Sequence, residues 1–270
     1  MTLNEWINTS NLPRLEARLL VQYVCNWEHS QVITRGNDVI PDYILMRLHD
    51  LCQRRINGEP IAYLIEKREF YGRDFYVNSN VLIPRPETEL LLETVLDSLP
   101  ENSSVWDMGC GSGILAVSIK CERPDCTVFA SDISCTALSV AQRNAQNLNA
   151  NINFLQGSWF DCNSLPEKFS LDVIVSNPPY IRADDIHLQQ GDLRFEPQIA
   201  LTDFNDGLDA FRILIANAPD FLKSGGKICF EHGFDQDVAT RDLLQQAGFA
   251  NIQTLSDLAG LPRVTVGFKE

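Results

Sequence analysis

Ser104-Val105-Trp106-Asp107-Met108-Gly109-Cys110-Gly111-Ser112-Gly113 is the stretch on which the fold turns. Its first half is a short apolar run that reads as a strand over 104–108, and the helical pattern that follows occupies 114–120. Between them stand three glycines at alternate positions. Glycine tolerates a sharp turn and leaves bare backbone against which a ligand can lie. The spacing is G-x-G-x-G and departs from the G-x-G-x-x-G dinucleotide fingerprint. Such a turn also occurs as a plain strand-to-helix connection, so its neighbours must decide its use.

Downstream, strands are expected at 127–131, 152–156, 171–176 and 227–231, with helical patterns between them such as 136–149. Strand and helix in alternation imply an α/β fold, a mostly parallel sheet with helices on its faces. The stretches 252–255 and 263–268 read as a final pair of strands closing the sheet antiparallel. In such sheets ligands sit beyond the carboxyl ends of the strands, so the loops after Met108, Ser131, Gln156 and Ser176 are where a site is expected.

Upstream the period is helical. Leu15, Leu19, Leu20, Tyr23, Val24 and Trp27 recur at helical spacing after Pro13. Ile44, Leu45, Leu48, Leu51, Cys52 and Ile56 do so after Pro41, until Gly58 ends the pattern. The alternation from Glu69 to Val77 around Gly72 predicts a hairpin, and 82–89 leads into a helix over 90–99. The expected organisation is a helical domain at 1–68, a β-hairpin linker at 69–84 and the sheet domain at 85–270.

Composition bounds the reading further. The 270 residues are 44% hydrophobic and 21% charged, with a net charge of −14, as for a soluble globular chain. Residues 1–70 carry 9 acids and 8 bases, whereas 71–270 carry 27 acids and 14 bases. That balance argues against a broad phosphate-binding footprint. No apolar run is long enough to span a bilayer, and the first residues lack the pattern of an export signal, so no membrane partner and a cytoplasmic location are expected. The eight cysteines are scattered without C-x-x-C or zinc spacing, which predicts free thiols and no metal site.

The four loops together suggest a nucleoside site beside a reaction centre. Asp132 follows the second strand, 19 positions after Gly113, where a carboxylate accepts the hydroxyls of a ribose; as a single residue it is equally a helix N-cap. Trp159, in Gly157-Ser158-Trp159-Phe160-Asp161, can wall an adenine. The fourth loop is Asn177-Pro178-Pro179-Tyr180. Its two prolines make a stiff segment that offers carbonyl oxygens and almost no donors, a ledge suited to a flat group bearing NH₂.

In that order the motifs resemble those of the class I S-adenosylmethionine-dependent methyltransferases acting on planar amino or amide nitrogens. The flanking stretches Gly58 to Leu64, Leu82 to Glu89 (L-I-P-R-P-E-T-E) and Arg194 to Leu201 narrow the resemblance. Over roughly residue 12 to Phe268 the chain is similar to the HemK/PrmC family, the peptide chain release factor N5-glutamine methyltransferases. The resemblance implies a Rossmann-like sheet with an antiparallel last strand and a small N-terminal helical domain that binds release factors. It implies S-adenosylmethionine as cofactor, S-adenosylhomocysteine as product, and the glutamine of a release factor's Gly-Gly-Gln loop as methyl acceptor. Gly109, Cys110, Gly111, Ser112, Gly113, Asp132, Trp159 and Asn177 are implied to contact the cofactor. Asn177, Pro178, Pro179 and Tyr180 are implied to receive the glutamine, with Asn177, Pro178 and Tyr180 catalytic. Many relatives carry an acid where this chain has Ser158, which leaves Asp161 or a backbone carbonyl for the adenine amine.

The chemistry follows from the amide. Its nitrogen lone pair is delocalised into the carbonyl, so acceptors placed at both N–H bonds raise density on nitrogen and turn the lone pair toward the methyl. Tyr180 is expected to hold the flat side chain by stacking. The alternative is a DNA or RNA amino-methyltransferase, which needs a basic target-recognition region that this sequence lacks. A non-catalytic cofactor-binding module would keep the glycine loop and drop the ledge.

Overall fold

The computed structural model describes residues 1–97 and 99–270. Two compact units divide it: Met1–Lys67 with Gln190–Phe195, and Arg68–Gln189 with Glu196–Glu270.

The first unit is helical: α1 (Leu3–Thr9), α2 (Arg14–Cys25), α3 (His29–Thr34), α4 (Asp42–Ile56) and α5 (Ile61–Leu64). Thr2 and Glu5 form a capping box at the start of α1, satisfying two backbone donors that would otherwise be orphaned. Ala17, Leu20, Val21 and Val24 form the buried stripe of α2, facing Ile44, Leu48, Leu51 and Cys52 of α4. The stripe lies to one side of the one expected from the larger residues: Leu15 and Tyr23 point outward. Ala17 and Val21 replace them because small side chains let two helices approach closely. Asp42 in the first turn of α4 and Arg54 and Arg55 in its last complement the helix dipole. Arg194 donates to the Asn57 carbonyl at 2.9 Å, so the segment 190–195 belongs with the helices, although the sequence runs it through the sheet domain.

The second unit opens with a hairpin, β1 (Lys67–Phe70) and β2 (Arg73–Tyr76), then α6 (Thr88–Leu96). There follow β3 (Ser104–Met108), α7 (Ile114–Glu122), β4 (Thr127–Asp132), α8 (Cys135–Asn147), β5 (Asn153–Ser158) and the short β6 (Asp161–Cys162). β7 (Leu171–Ser176), α9 (Gln198–Leu201), α10 (Asp209–Asn217), β8 (Leu222–Glu231), α11 (Asp237–Gln246), β9 (Phe249–Ser256) and β10 (Pro262–Lys269) complete it. The strands form one eight-stranded sheet ordered β6-β5-β4-β3-β7-β8-β10-β9. The pairs from β5 through β8 are parallel, and β10 runs antiparallel between β8 and β9. The expected α/β sheet with an antiparallel last strand is what forms.

Alternation along the strands splits the core into two layers, since successive side chains point to opposite faces. Val105, Val173, Val175 and Cys229 meet α6, α7 and α8 on one face, whereas Trp106, Met108, Ile174, Ile228 and Phe230 meet α10 and α11 on the other. Both faces are covered, so β3 and β7 are buried almost throughout. From β3 the chain builds outward to β4 and β5, then returns to place β7 on its other side. That reversal opens a crevice between the ends of β3 and β7, the usual seat of a ligand in such sheets.

Candidate active site

The glycine loop is held from both sides before any ligand is considered. The Ser131 carbonyl at the end of β4 accepts the N–H groups of Gly109 and Cys110 at 2.8 and 2.9 Å. From β7, the Ser176 hydroxyl donates to the Met108 carbonyl at 2.7 Å. Asn144, fully buried on α8, donates to the Ser112 carbonyl at 2.9 Å and to the Tyr76 carbonyl at 3.0 Å, and accepts the Tyr76 N–H at 2.8 Å. One side chain thus ties the glycine loop and the hairpin to the same helix.

The loop borders a cavity of about 450 Å³. Among the residues singled out from sequence, Gly109, Cys110, Gly111, Ser112, Asp132, Trp159, Asn177 and Pro179 line it. Gly113, Pro178 and Tyr180 do not. Gly113 has φ +81° at the start of α7, and a Cβ there would lie 3.0 Å from that of Ala141, so its smallness serves helix packing. The Tyr180 ring packs against the Trp106 layer of the core, and its hydroxyl donates to Glu231 Oε1 at 3.1 Å. That places the ring in the sheet's core packing, where the sequence reading put it against substrate. Asp161 pairs back across the β5–β6 turn and is absent from the lining, which leaves Ser158 and the backbone at that wall.

Electrostatics single out two acids. Asp132 accepts the Gly111 N–H on Oδ2 and the Ser134 N–H on Oδ1, both at 2.9 Å. Burial raises its pKa against those two bonds. Each oxygen keeps a further lone pair for a ligand hydroxyl. Asp107, which the sequence reading passed over, is 1% exposed. Its Oδ2 accepts the Ala116 N–H at 3.1 Å, while Oδ1 has no partner among the described residues. Burial pushes this carboxyl up to about 7. A buried acceptor without a partner costs free energy unless something in the cavity supplies a donor.

At the ledge, Asn177 Nδ2 donates to Thr88 Oγ1 at 3.2 Å, and Thr88 Oγ1 donates to Glu231 Oε2 at 2.7 Å. Asn177 Oδ1 and the carbonyls of Pro178 and Pro179 accept no hydrogen bond among the described residues. Burial raises the Glu231 pKa against the bonds from Thr88 and Tyr180. The motif stretches also meet: Glu196 pairs with Arg85 and accepts the Ile83 N–H at 3.0 Å, fixing 83–88 against 196–201. Gln236 donates to the carbonyls of Tyr180 and Gly207 at 3.0 and 3.2 Å, closing the loop's far end. His232 is buried at the same strand end, with its ring nitrogens 2.8 Å from the Gly233 carbonyl and 2.8 Å from Thr265 Oγ1, away from the lining.

Thr88, Asp107 and Glu231 are the residues sequence reasoning missed. The cue for Glu231 was an acid ending an apolar strand, and for Asp107 an acid inside one; both signal a buried charge that needs partners.

This sheet order, with a glycine loop, an acid after the second strand and an acceptor ledge after the fourth, defines an S-adenosylmethionine-dependent methyltransferase. Residues 86–192 match the Methyltransferase small domain family and 8–65 the PrmC N-terminal domain family. The fold is shared with a methyltransferase from Pyrococcus furiosus (TM-score 0.57, 17% identity, 80% of this chain and 96% of that one). A ribosomal protein L11 methylase from Lactobacillus delbrueckii subsp. bulgaricus shares it at TM-score 0.50, with 22% identity over 69% of this chain and 81% of that one. The release factor glutamine methyltransferase of Neisseria gonorrhoeae is 57% identical over 267 residues, covering 99% of this chain and 97% of its own. That of Burkholderia pseudomallei is 45% identical, covering 98% and 95%. The chain belongs to the release factor glutamine methyltransferase family.

Proposed function

We propose that the chain methylates the side-chain amide nitrogen, N5, of the glutamine in the Gly-Gly-Gln loop of peptide chain release factors, using S-adenosylmethionine. The observation that carries this reading is the Asn177 carboxamide, which turns its NH₂ to Thr88 and leaves Oδ1 open beside two prolines whose carbonyls are also unengaged.

The cavity fits the cofactor. The orphaned Asp107 Oδ1 matches a cationic amino group, Asp132 matches the ribose hydroxyls, and Trp159 and the half-exposed Ile133 supply apolar walls for a base. Gly109 and Gly111, at φ +73° and +54°, give bare backbone between them. When bound, S-adenosylmethionine supplies an activated methyl group on a sulfonium. Asn177 Oδ1 and a carbonyl of the Pro178–Pro179 pair, of which Pro179 lines the cavity, accept the two amide N–H bonds of the glutamine, hold its plane and stabilise the charge that grows on nitrogen. Orientation of this kind is worth roughly 7–11 kcal/mol of barrier. No side chain has to remove a proton beforehand, because the nitrogen becomes more acidic as the new bond forms. Tyr180 acts from behind, through Glu231.

The helical unit is assigned to gripping the release factor. Within it, a groove lined by Tyr23, Met46, Arg47, Asp50, Arg54 and Tyr63 offers aromatic and charged contacts of both signs. Nucleic acid and membrane surfaces have no part in this reading, which rests on the acidic balance of the chain, and no step is assigned to a metal. Among the described residues no helix is long and apolar enough to cross a membrane. A cytoplasmic location goes with this reading, since release factors act where ribosomes do.

The test supplies labelled S-adenosylmethionine with a release factor, with a variant whose Gly-Gly-Gln glutamine is changed, with DNA and with rRNA. Label is expected only in the intact release factor. Label in nucleic acid would instead favour the amino-methyltransferase reading. Asn177→Ala should leave cofactor affinity within a few-fold and lower transfer by about 10².

A further inference from the structure

Behind the ledge lies a chain of hydrogen bonds whose direction is dictated by one buried charge. Glu231 is 2% exposed, and its two oxygens accept the hydroxyls of Thr88 and Tyr180 at 2.7 and 3.1 Å. A carboxylate has no hydrogen to offer, so both hydroxyls must donate to it. Threonine has a single hydroxyl hydrogen. Once that is committed to Glu231, Thr88 Oγ1 presents only lone pairs to Asn177. The end of the carboxamide that faces Thr88 must therefore be NH₂, as found at 3.2 Å, and the oxygen must face the cavity. The opposite rotamer sets Oδ1 against Oγ1 with no hydrogen between them.

The orientation matters because the two ends of a carboxamide are nearly the same size, and packing alone separates them poorly. With Nδ2 toward the cavity, Asn177 would meet the NH₂ of an incoming glutamine donor to donor. With Oδ1 there, it accepts. We propose that Glu231 is a positioning residue which, through Thr88, fixes the Asn177 carboxamide with its acceptor toward the substrate. Without the carboxylate, the Thr88 hydroxyl is free to donate to Asn177 Oδ1, and both rotamers become satisfied. The proposal rests on the function assigned above to Asn177 and adds what sets its direction.

The test uses steady-state methylation of a release factor by the full-length enzyme, together with cofactor affinity and thermal melting. Thr88→Val, which keeps shape and removes the lone pairs, is expected to lower kcat about tenfold while cofactor affinity stays near wild type; it should also melt lower, because Glu231 Oε2 loses its donor, so kcat is compared at a temperature where both proteins are folded. Thr88→Ser is expected to restore kcat to within about threefold. Glu231→Ala is expected to lower kcat about twofold or more, since an undirected carboxamide is competent in about half of the molecules, and to lower it no further when added to Thr88→Val, because the relay is already cut. Multiplying losses would overturn the relay, as would wild-type kcat in Thr88→Val. Should Glu231→Ala fail to fold, the Thr88 pair decides. Asn177→Ala separates the two layers: if it is impaired while Thr88→Val is not, the relay falls and the functional reading stands. If Asn177→Ala turns over normally, the relay and the role given to Asn177 both fall, while methylation of the release factor itself stands.

Discussion

Asp107→Asn changes one buried oxygen to nitrogen at nearly constant volume, and its effect can be worked out from the surroundings. In the wild type, burial holds the carboxyl at about 7, against an ordinary value of 3.8. About a tenth of the protein is then ionised at this position at pH 6, half at pH 7 and nine-tenths at pH 8. A ligand ammonium at Oδ1 makes a charge-assisted bond of about 1.5–3 kcal/mol, or roughly 10- to 150-fold in affinity. Calorimetric titration with S-adenosylmethionine should therefore show Asp107→Asn weakened by that factor at pH 8. Wild-type affinity should fall about tenfold from pH 8 to pH 6 as the carboxyl takes up a proton, while the variant changes little. Below pH 7 wild-type binding should release a proton, visible as a dependence on buffer ionisation enthalpy. Methylthioadenosine, which lacks the amino-acid portion, should bind both proteins alike. Stability without ligand has the opposite sign. Because the folded pKa lies above the unfolded one, this group's contribution is present below about pH 4 and lost as pH rises through 7, so Asp107→Asn should melt higher than wild type at pH 8. Wild-type affinity in the variant at pH 8, or an equal loss toward methylthioadenosine, would refute the assignment.

Asn144→Leu strands the Ser112 carbonyl and both backbone groups of Tyr76, and should cost about 3 kcal/mol or more, read as a lower urea midpoint. Gly207→Ala puts a Cβ 2.4 Å from the Tyr180 carbonyl at φ +81°; a loss of about 2 kcal/mol or more is expected by thermal melting, with kcat falling more than cofactor affinity. Asp132→Ala removes the proposed ribose acceptor and the partner of Gly111 N–H, so cofactor affinity by calorimetry should drop about 10- to 100-fold. Intact affinity there would remove Asp132 from the site.

The strands most legible were β3, β4, β7 and β10, which are rich in β-branched or aromatic residues. The pattern at 104–108 and 171–176 names β3 and β7 to the residue. Once β3, β4, β5 and β7 are in order, the loops that carry Gly109, Asp132, Trp159 and Asn177 converge by topology alone. Less legible was anything that depends on which side chains meet across long separations. Tyr180 is as suited to stacking as to bonding an acid, and only the arrival of Glu231 from β8 decides where its hydroxyl points. Gln190–Phe195 joins the helices through Arg194 and Asn57, 137 positions apart, a contact with no local signature. In α2 the stripe follows Ala17 and Val21 because close helix approach outweighs side-chain bulk.

Thr88 and Glu231 are separated by 143 positions, with the sheet's central strands between them. During synthesis the glycine loop and the ledge are complete long before β8 emerges. Until it does, the carboxamide at 177 has nothing to tell its two faces apart. The carboxamide at the reaction centre thus takes its direction from one of the last strands to be made, and activity arrives as one of the last events of folding.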